Sequence, residues 1–277
     1  MSAFVPRSLL YCSALYPKQY DKAQLSDVRV VDLEDGVPLT RKPEARCNIE
    51  HFFAQRPPGA TAVRINPLRD NEGLLDLLLL QRLKQRPDYI VMTMLESAVE
   101  VDIVRANLMR DGAGPKLLVT VETPACLREI HAVANTADGL IFGSADYAAS
   151  LGVGIGGWQN MLHARSSIVA AAAAAAVPAF DTAYFHLDDD PGLERESHAA
   201  RDLGFSGKTA IHPRQVAIIN QSFTPSTHEY ETACAVIKAA QDSGEKITRL
   251  NALMIGPPFV KHARKVVERA RECRSNR

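Results

Sequence analysis

The chain of 277 residues has no surplus of charge: 32 Lys and Arg stand against 32 Asp and Glu. A protein that holds nucleic acid by its phosphates needs a basic excess, so that class is disfavoured. One Trp and an aromatic content of 6% leave no basic–aromatic interleaving on which bases would stack. Long apolar runs are also missing. Leu77 to Leu80 and Ala170 to Val177 fall short of the ~18 to 20 residues that a membrane span needs. The opening MSAFVPRSLLYC holds one Arg before a polar break and lacks the layout of a signal peptide. Five scattered cysteines (Cys12, Cys47, Cys126, Cys234 and Cys273), with no C-x-x-C, exclude a disulfide framework and a thiolate zinc site. A cytoplasmic protein with reduced thiols is expected.

What is present is a series of short apolar runs. They are SLLYC from Ser8, VRVVDLE from Val28, TAVRIN from Thr61, YIVMTM from Tyr89, KLLVTVE from Lys116, DGLIFG from Asp138, PAFDTA from Pro178 and GKTAIH from Gly207. Near-continuous runs of this kind suit parallel strands covered on both faces. The gaps between them carry helical patterns. Leu74, Leu75, Leu78, Leu79 and Leu83 form one candidate apolar stripe, and Val99, Val101, Ile103, Val104 and Leu108 another. Helix starts are expected at Thr40, Ser97 and Thr123.

Eight strands alternating with helices predict a (β/α)₈ TIM barrel. The rival, an open doubly wound sheet, would carry a glycine-rich turn after its first strand, and SALYPKQY has no glycine. GVGIGG at 152–157 follows no strand and reads as a loop rather than a phosphate cradle. The barrel is expected over 1–245. A basic C-terminal helical extension over 246–277 would serve as a lid or an oligomer contact.

A barrel of this type builds its site at the C-terminal ends of its strands. Those ends carry Asp32, Glu34 and Asp35, then Arg64 and Asn66, then Glu122, Asp146, Asp181 and His212. Glu122 and Asp146 come from adjacent strand ends. Two carboxylates plus waters suit Mg²⁺, a hard ion that prefers oxygen, and the lack of His-x-His or Cys pairs argues against zinc. Arg64 would steady a developing oxyanion, and Glu34 and Asp35 would hold the metal's waters. Each residue has a plainer reading. A strand-end acid caps the next helix more often than not, Arg64 can be an ordinary ion-pair partner, and Asp181 and His212 can be loop anchors. The convergence carries the expectation.

At these residues the chain resembles the citrate lyase β-subunit-like family, with malyl-CoA and citramalyl-CoA lyases, of the HpcH/HpaI aldolase superfamily. The stretches that carry the resemblance are RSLLYC, DLEDGVP, RINPL, VETPA, FGSADYAASLG, GFSGKTAIHPRQV and INQSFTPSTHEYETA. It implies a Mg²⁺-dependent TIM barrel, trimeric or hexameric, that cleaves C–C bonds by aldol or Claisen chemistry. Glu122 and Asp146 match the metal ligands, Arg64 the arginine at the substrate oxygen, and Glu34 and Asp35 the neighbouring acidic pair. Arg7 and Lys18 fall in the region that contacts the CoA phosphates in relatives.

Three departures stand out. Relatives read F-V-P-G where YCSALYP stands here, and P-K-V-E where Thr93-Met94-Leu95-Glu96 stands. Many carry I-D-x-P, whose Asp reaches a neighbouring subunit's site, where MIGPP places Gly256. The expected reaction is cleavage of a malyl-CoA or citramalyl-CoA type thioester to acetyl-CoA and a 2-oxo acid. The alternatives are an aldolase on free 2-oxo acids and a lyase subunit inactive without its acyl-carrier partner.

Overall fold

The computed structural model describes residues 4–110, 112–244, 247–250 and 253–275. Eight parallel strands close a barrel in chain order: β1 (Ser8–Ser13), β2 (Val28–Asp32), β3 (Ala60–Arg64), β4 (Tyr89–Met92), β5 (Lys116–Val121), β6 (Gly139–Phe142), β7 (Ala179–Asp181) and β8 (Gly207–Ala210). Closure is made by β1 on β8, with Ser8 opposite Lys208 and Leu10 opposite Ala210. All eight expected strands form. Their apolar residues are covered on both faces, so Leu117, Val119, Val30 and Val31 are wholly buried.

The helices of the barrel are α1 (Lys42–Ala54), α2 (Asn71–Arg82), α3 (Ala98–Leu108), α4 (Pro124–Arg128), α5 (Ile130–Thr136), α6 (Ser144–Leu151), α7 (Trp158–Ala175), α8 (Asp190–Leu203) and α9 (Pro213–Ser222). Two of the three expected starts are capped as anticipated. Ser97 opens α3 with a capping box to Glu100, and the Thr123 hydroxyl accepts the Cys126 N–H ahead of Pro124. At Thr40 the chain instead makes a 3-10 turn over Leu39–Arg41, and α1 begins at Lys42. The 152–157 segment is the loop between α6 and α7.

The expected stripe on α2 is corrected. Leu74, Leu75 and Leu78 are 51%, 45% and 52% exposed, while Leu77, Leu79, Leu80 and Leu83 are buried. A helix that is leucine on most sides does not choose its inner face by periodicity. Gly73 and Asp76 choose it. A Cβ on Gly73 would lie 2.2 Å from the Pro67 carbonyl oxygen. The Asp76 carboxylate accepts the Asn66 N–H at 2.9 Å and Arg46 Nε at 2.7 Å. On α3 likewise, Val101, Val104 and Leu108 are buried and Val99 and Ile103 face out.

The chain forms two compact units, one over Pro6–Asn220 and one of the described residues from Gln221 onward with Phe4 and Val5. The expected boundary at 245/246 lies outside the described residues. Within the second unit, α10 (Thr227–Asp242), a hairpin of β9 (Thr248–Leu250) and β10 (Leu253–Ile255), and α11 (Pro257–Ser275) pack around Ala233, Val236, Ile255, Ala263 and Val267. The helix expected after the GPP break is α11. Among the described residues no helix is long and apolar enough to cross a membrane.

Candidate active site

Side chains alternate across a strand, so residues two apart share a face. Tyr11 and Ser13 on β1, Thr120 and Glu122 on and after β5, and Thr209 and Ile211 on and after β8 turn inward in this way. With Asp32, Asp35, Arg64, Asp146, Thr182 and Phe185 they line a cavity of about 410 Å³ at the C-terminal ends of the strands. Four of the expected site residues, Asp35, Arg64, Glu122 and Asp146, therefore share one space.

Glu122 sits at its floor, 4% exposed, and Asp146 at its solvent-facing rim, in the first turn of α6. Glu122 Oε1 accepts the Met94 N–H at 2.6 Å. To point that N–H inward, Met94 takes φ +53°, a left-handed conformation that costs a bulky residue about 1–3 kcal/mol. Between β6 and α6 the chain yields space at Gly143, where a Cβ would lie 2.7 Å from Glu122 Oε2. Among the described residues neither Glu122 nor Asp146 is ion-paired. Burial pushes the Glu122 carboxyl up to about 8; the Met94 N–H opposes this, and the charges of Glu34 and Asp146 add to it. Asp146 is raised too, by burial and by Asp35.

Arg64 is held in a fork. Its Nε and Nη2 donate to Asp32 at 2.7 and 2.6 Å, and its Nη1 meets Glu34 at 2.8 Å and Asp35 at 3.8 Å. Asp32 also accepts the backbone N–H of Glu34 and of Gly36, so it both aims the guanidinium and shapes the turn that follows β2. Lys42 fixes the same turn from below, donating to the carbonyls of Leu33 and Glu34 and to Asn66 Oδ1 at 2.7, 2.8 and 2.6 Å. The Glu34 carboxyl is pushed up to about 7 by burial, with Arg64 pulling against it. Asp32 and Lys42 were not singled out by sequence reasoning as positioning residues. Asp32 was visible as a strand-end acid, whereas nothing local to Lys42 signals that it is buried.

The remaining candidates lie elsewhere. Asp181 is corrected as a site residue. Its neighbour Thr182 lines the cavity, so Asp181 points to the outer face, where it bonds Lys208 Nζ at 2.7 Å and Arg165 Nε at 2.9 Å. His212 is not among the cavity-lining residues, and its Nδ1 accepts the Arg214 N–H in the first turn of α9. Arg7 precedes β1, at the opposite end of the barrel, and is 7% exposed with its guanidinium on Asp27 at 2.8 Å. Lys18 lies in an exposed 3-10 turn after β1 and is not among the cavity-lining residues.

Among the described residues no three His, Cys, Asp or Glu side chains are grouped as a metal cage. The donor set nevertheless fits a hard cation. One guanidinium, already paired, stands among the five carboxylates of Asp32, Glu34, Asp35, Glu122 and Asp146. A divalent ion held by Glu122 and Asp146 would offset that excess and complete its shell with water and substrate oxygens.

The HpcH/HpaI aldolase/citrate lyase family matches residues 7–213. The chain belongs to that family. A second match, to the C–C bond lyases of the TIM-barrel fold, covers residues 159–272. The citrate lyase subunit beta of Haemophilus influenzae is 33% identical over 267 residues, 88% of this chain and 89% of the relative. The mitochondrial citramalyl-CoA lyase of Rattus norvegicus is 30% identical over 290 residues, 95% of this chain and 86% of the relative. The crystal structure of CitE from Mycobacterium tuberculosis in complex with magnesium, acetoacetate and coenzyme A is similar at 27% identity and a TM-score of 0.83, over 97% of this chain and 98% of that one. The protein is thus a carbon–carbon lyase of the HpcH/HpaI family.

Proposed function

We propose that the protein cleaves a 3-hydroxy-3-carboxyacyl thioester of malyl-CoA or citramalyl-CoA type to acetyl-CoA and a 2-oxo acid, with Mg²⁺ held by Glu122 and Asp146. The observation that carries this reading is the meeting of Glu122, Asp146, Asp35 and Arg64 on one open cavity. The relatives and the CitE complex named above support the substrate class and the metal.

The ion, when bound, supplies Lewis acidity to the oxygens of the hydroxy acid portion. The chain's residues do the rest. Arg64, aimed by Asp32, presents its remaining N–H groups to the oxygen on which charge develops. Loss of the hydroxyl proton to a base lets its oxygen form the new carbonyl as the C–C bond breaks. The bonding pair passes to the thioester as an enolate, and protonation of carbon gives acetyl-CoA. Glu34 and Asp35 hold water beside the carboxylate pair. Lys18, exposed in the turn after β1, is the cation free to meet CoA phosphates, whereas Arg7 is engaged with Asp27. The leucines exposed on α2 support the homo-oligomer that the resemblance implies.

YCSALYP and Met94, standing where relatives carry F-V-P-G and lysine, favour a second reading, an aldolase on free 2-oxo acids. The deciding test is cleavage of citramalyl-CoA and malyl-CoA by the purified protein. Turnover lost in EDTA and restored by Mg²⁺ is expected. Turnover that survives EDTA overturns the metal-dependent mechanism. No thioester turnover, with Mg²⁺-dependent proton exchange on pyruvate, moves the assignment to the second reading.

A further inference from the structure

Tyr11 enters the cavity from β1, and the Arg64 guanidinium lies over its ring at 5.0 Å from the centroid. The phenol is partly buried, and it makes no hydrogen bond among the described residues. Across the barrel, Thr120 lines the same cavity at 5% exposure, and its Oγ1 is buried with no hydrogen-bond partner. A polar atom left unpaired in a buried setting, as Thr120 Oγ1 is, is uncommon and costs about 1–3 kcal/mol unless something arrives to satisfy it. Arg64 is in the opposite condition. Three of its N–H groups are already committed to Asp32 and Glu34. Its charge is shared among carboxylates before any substrate binds.

The geometry points to Tyr11 as a further catalytic residue: its neutral phenol donates a hydrogen bond to the substrate oxygen on which negative charge develops, beside Arg64, while Thr120 satisfies a second oxygen of the bound acid. The inference rests on the lyase reading above. A donor is what the setting allows. Burial and the charges of Asp32, Glu122 and Glu34 keep the phenol protonated, with Arg64 opposing them. No proton is transferred by Tyr11. The O–H stays intact and stabilises charge by its dipole, a role for which a phenylalanine has no equivalent. The tyrosine is thus more than a conservative change from the F of F-V-P-G. It adds a donor to a site whose arginine is heavily shared.

Tyr11→Phe keeps the ring under Arg64 and removes one oxygen. The experiment measures kcat and KM for citramalyl-CoA cleavage with saturating Mg²⁺, and calorimetric binding of pyruvate with Mg²⁺, for wild type, Tyr11→Phe and Thr120→Val. For Tyr11→Phe, kcat is expected to fall about 10²-fold, the usual loss for one oxyanion donor, with KM changed less than about threefold and the melting temperature unchanged. A kcat within twofold of wild type overturns the inference. Where the wild type cleaves no thioester, the lyase reading fails and the inference is decided on pyruvate. Weaker Mg²⁺-dependent binding in both variants, by roughly fivefold or more, upholds a substrate contact. Equal binding, or no binding to the wild type, overturns it.

Discussion

The barrel holds two clusters of charge built from the same residue types. On its outer face Asp181 and Lys208, both with side chains fully buried, meet Arg165 and Glu196, two anions against two cations at 2.7 to 3.8 Å. At its mouth five carboxylates surround Arg64. The first cluster is balanced, and its cations hold the Asp181 carboxyl below its usual range despite burial. The second is in deficit of positive charge, and its carboxyls are raised, Glu122 to about 8. A buried set whose charges balance belongs to the fold. One that lacks a cation and opens to solvent is prepared for something that arrives.

The sharpest break in that comparison comes from Glu122→Gln. It should abolish thioester cleavage while leaving the metal-free protein at least as stable, since a buried carboxyl whose ionisation the fold opposes is removed. Steady-state kinetics and thermal melting check both halves. The reverse pattern is expected on the outer face. Asp181→Asn leaves Glu196 as the one anion for both Lys208 and Arg165 in this cluster and should cost about 3–5 kcal/mol in urea unfolding. Asp35 tests the contrast at one strand end. Its side chain is 70% exposed and 3.8 Å from Arg64. Asp35→Asn should therefore change stability by less than about 0.5 kcal/mol while slowing cleavage about 10–100-fold.

The last contrast is in pH. The Glu122 carboxyl lies at about 8 in the folded chain against an ordinary 4.5. Its protonated form stabilises the fold fully below about 4.5, and that contribution is lost as pH rises through 8. Asp181, held low, behaves oppositely: its contribution is present above its ordinary 3.8 and lost in stronger acid. Melting in EDTA should therefore show stability falling from pH 6 to 9, and saturating Mg²⁺ should flatten that slope.

The strand pattern made the barrel legible because parallel strands buried on both faces read as unbroken apolar runs. Chain order also brought Glu122, Asp146, Arg64 and Asp35 to one mouth. Asp181, open in the sequence between the mouth and a loop anchor, is decided by register. At the end of a strand a one-residue offset reverses the face, and only the register that turns Thr182 inward shows Asp181 turning out. The inner face of helix α2 likewise depends on Gly73 against the Pro67 carbonyl, a contact between chain segments. Asp32 and Lys42 act through Arg64 and through backbone carbonyls, and spacing does not reveal which partner a side chain will find. The turn at Met94 is a tertiary demand of Glu122 that no propensity of methionine announces.

The most direct measurement is a calorimetric titration of Mg²⁺, in the presence of pyruvate, into wild type, Glu122→Gln and Asp146→Asn. One ion per chain should bind the wild type, and binding should vanish in each variant. Undiminished binding in either variant would contradict the account.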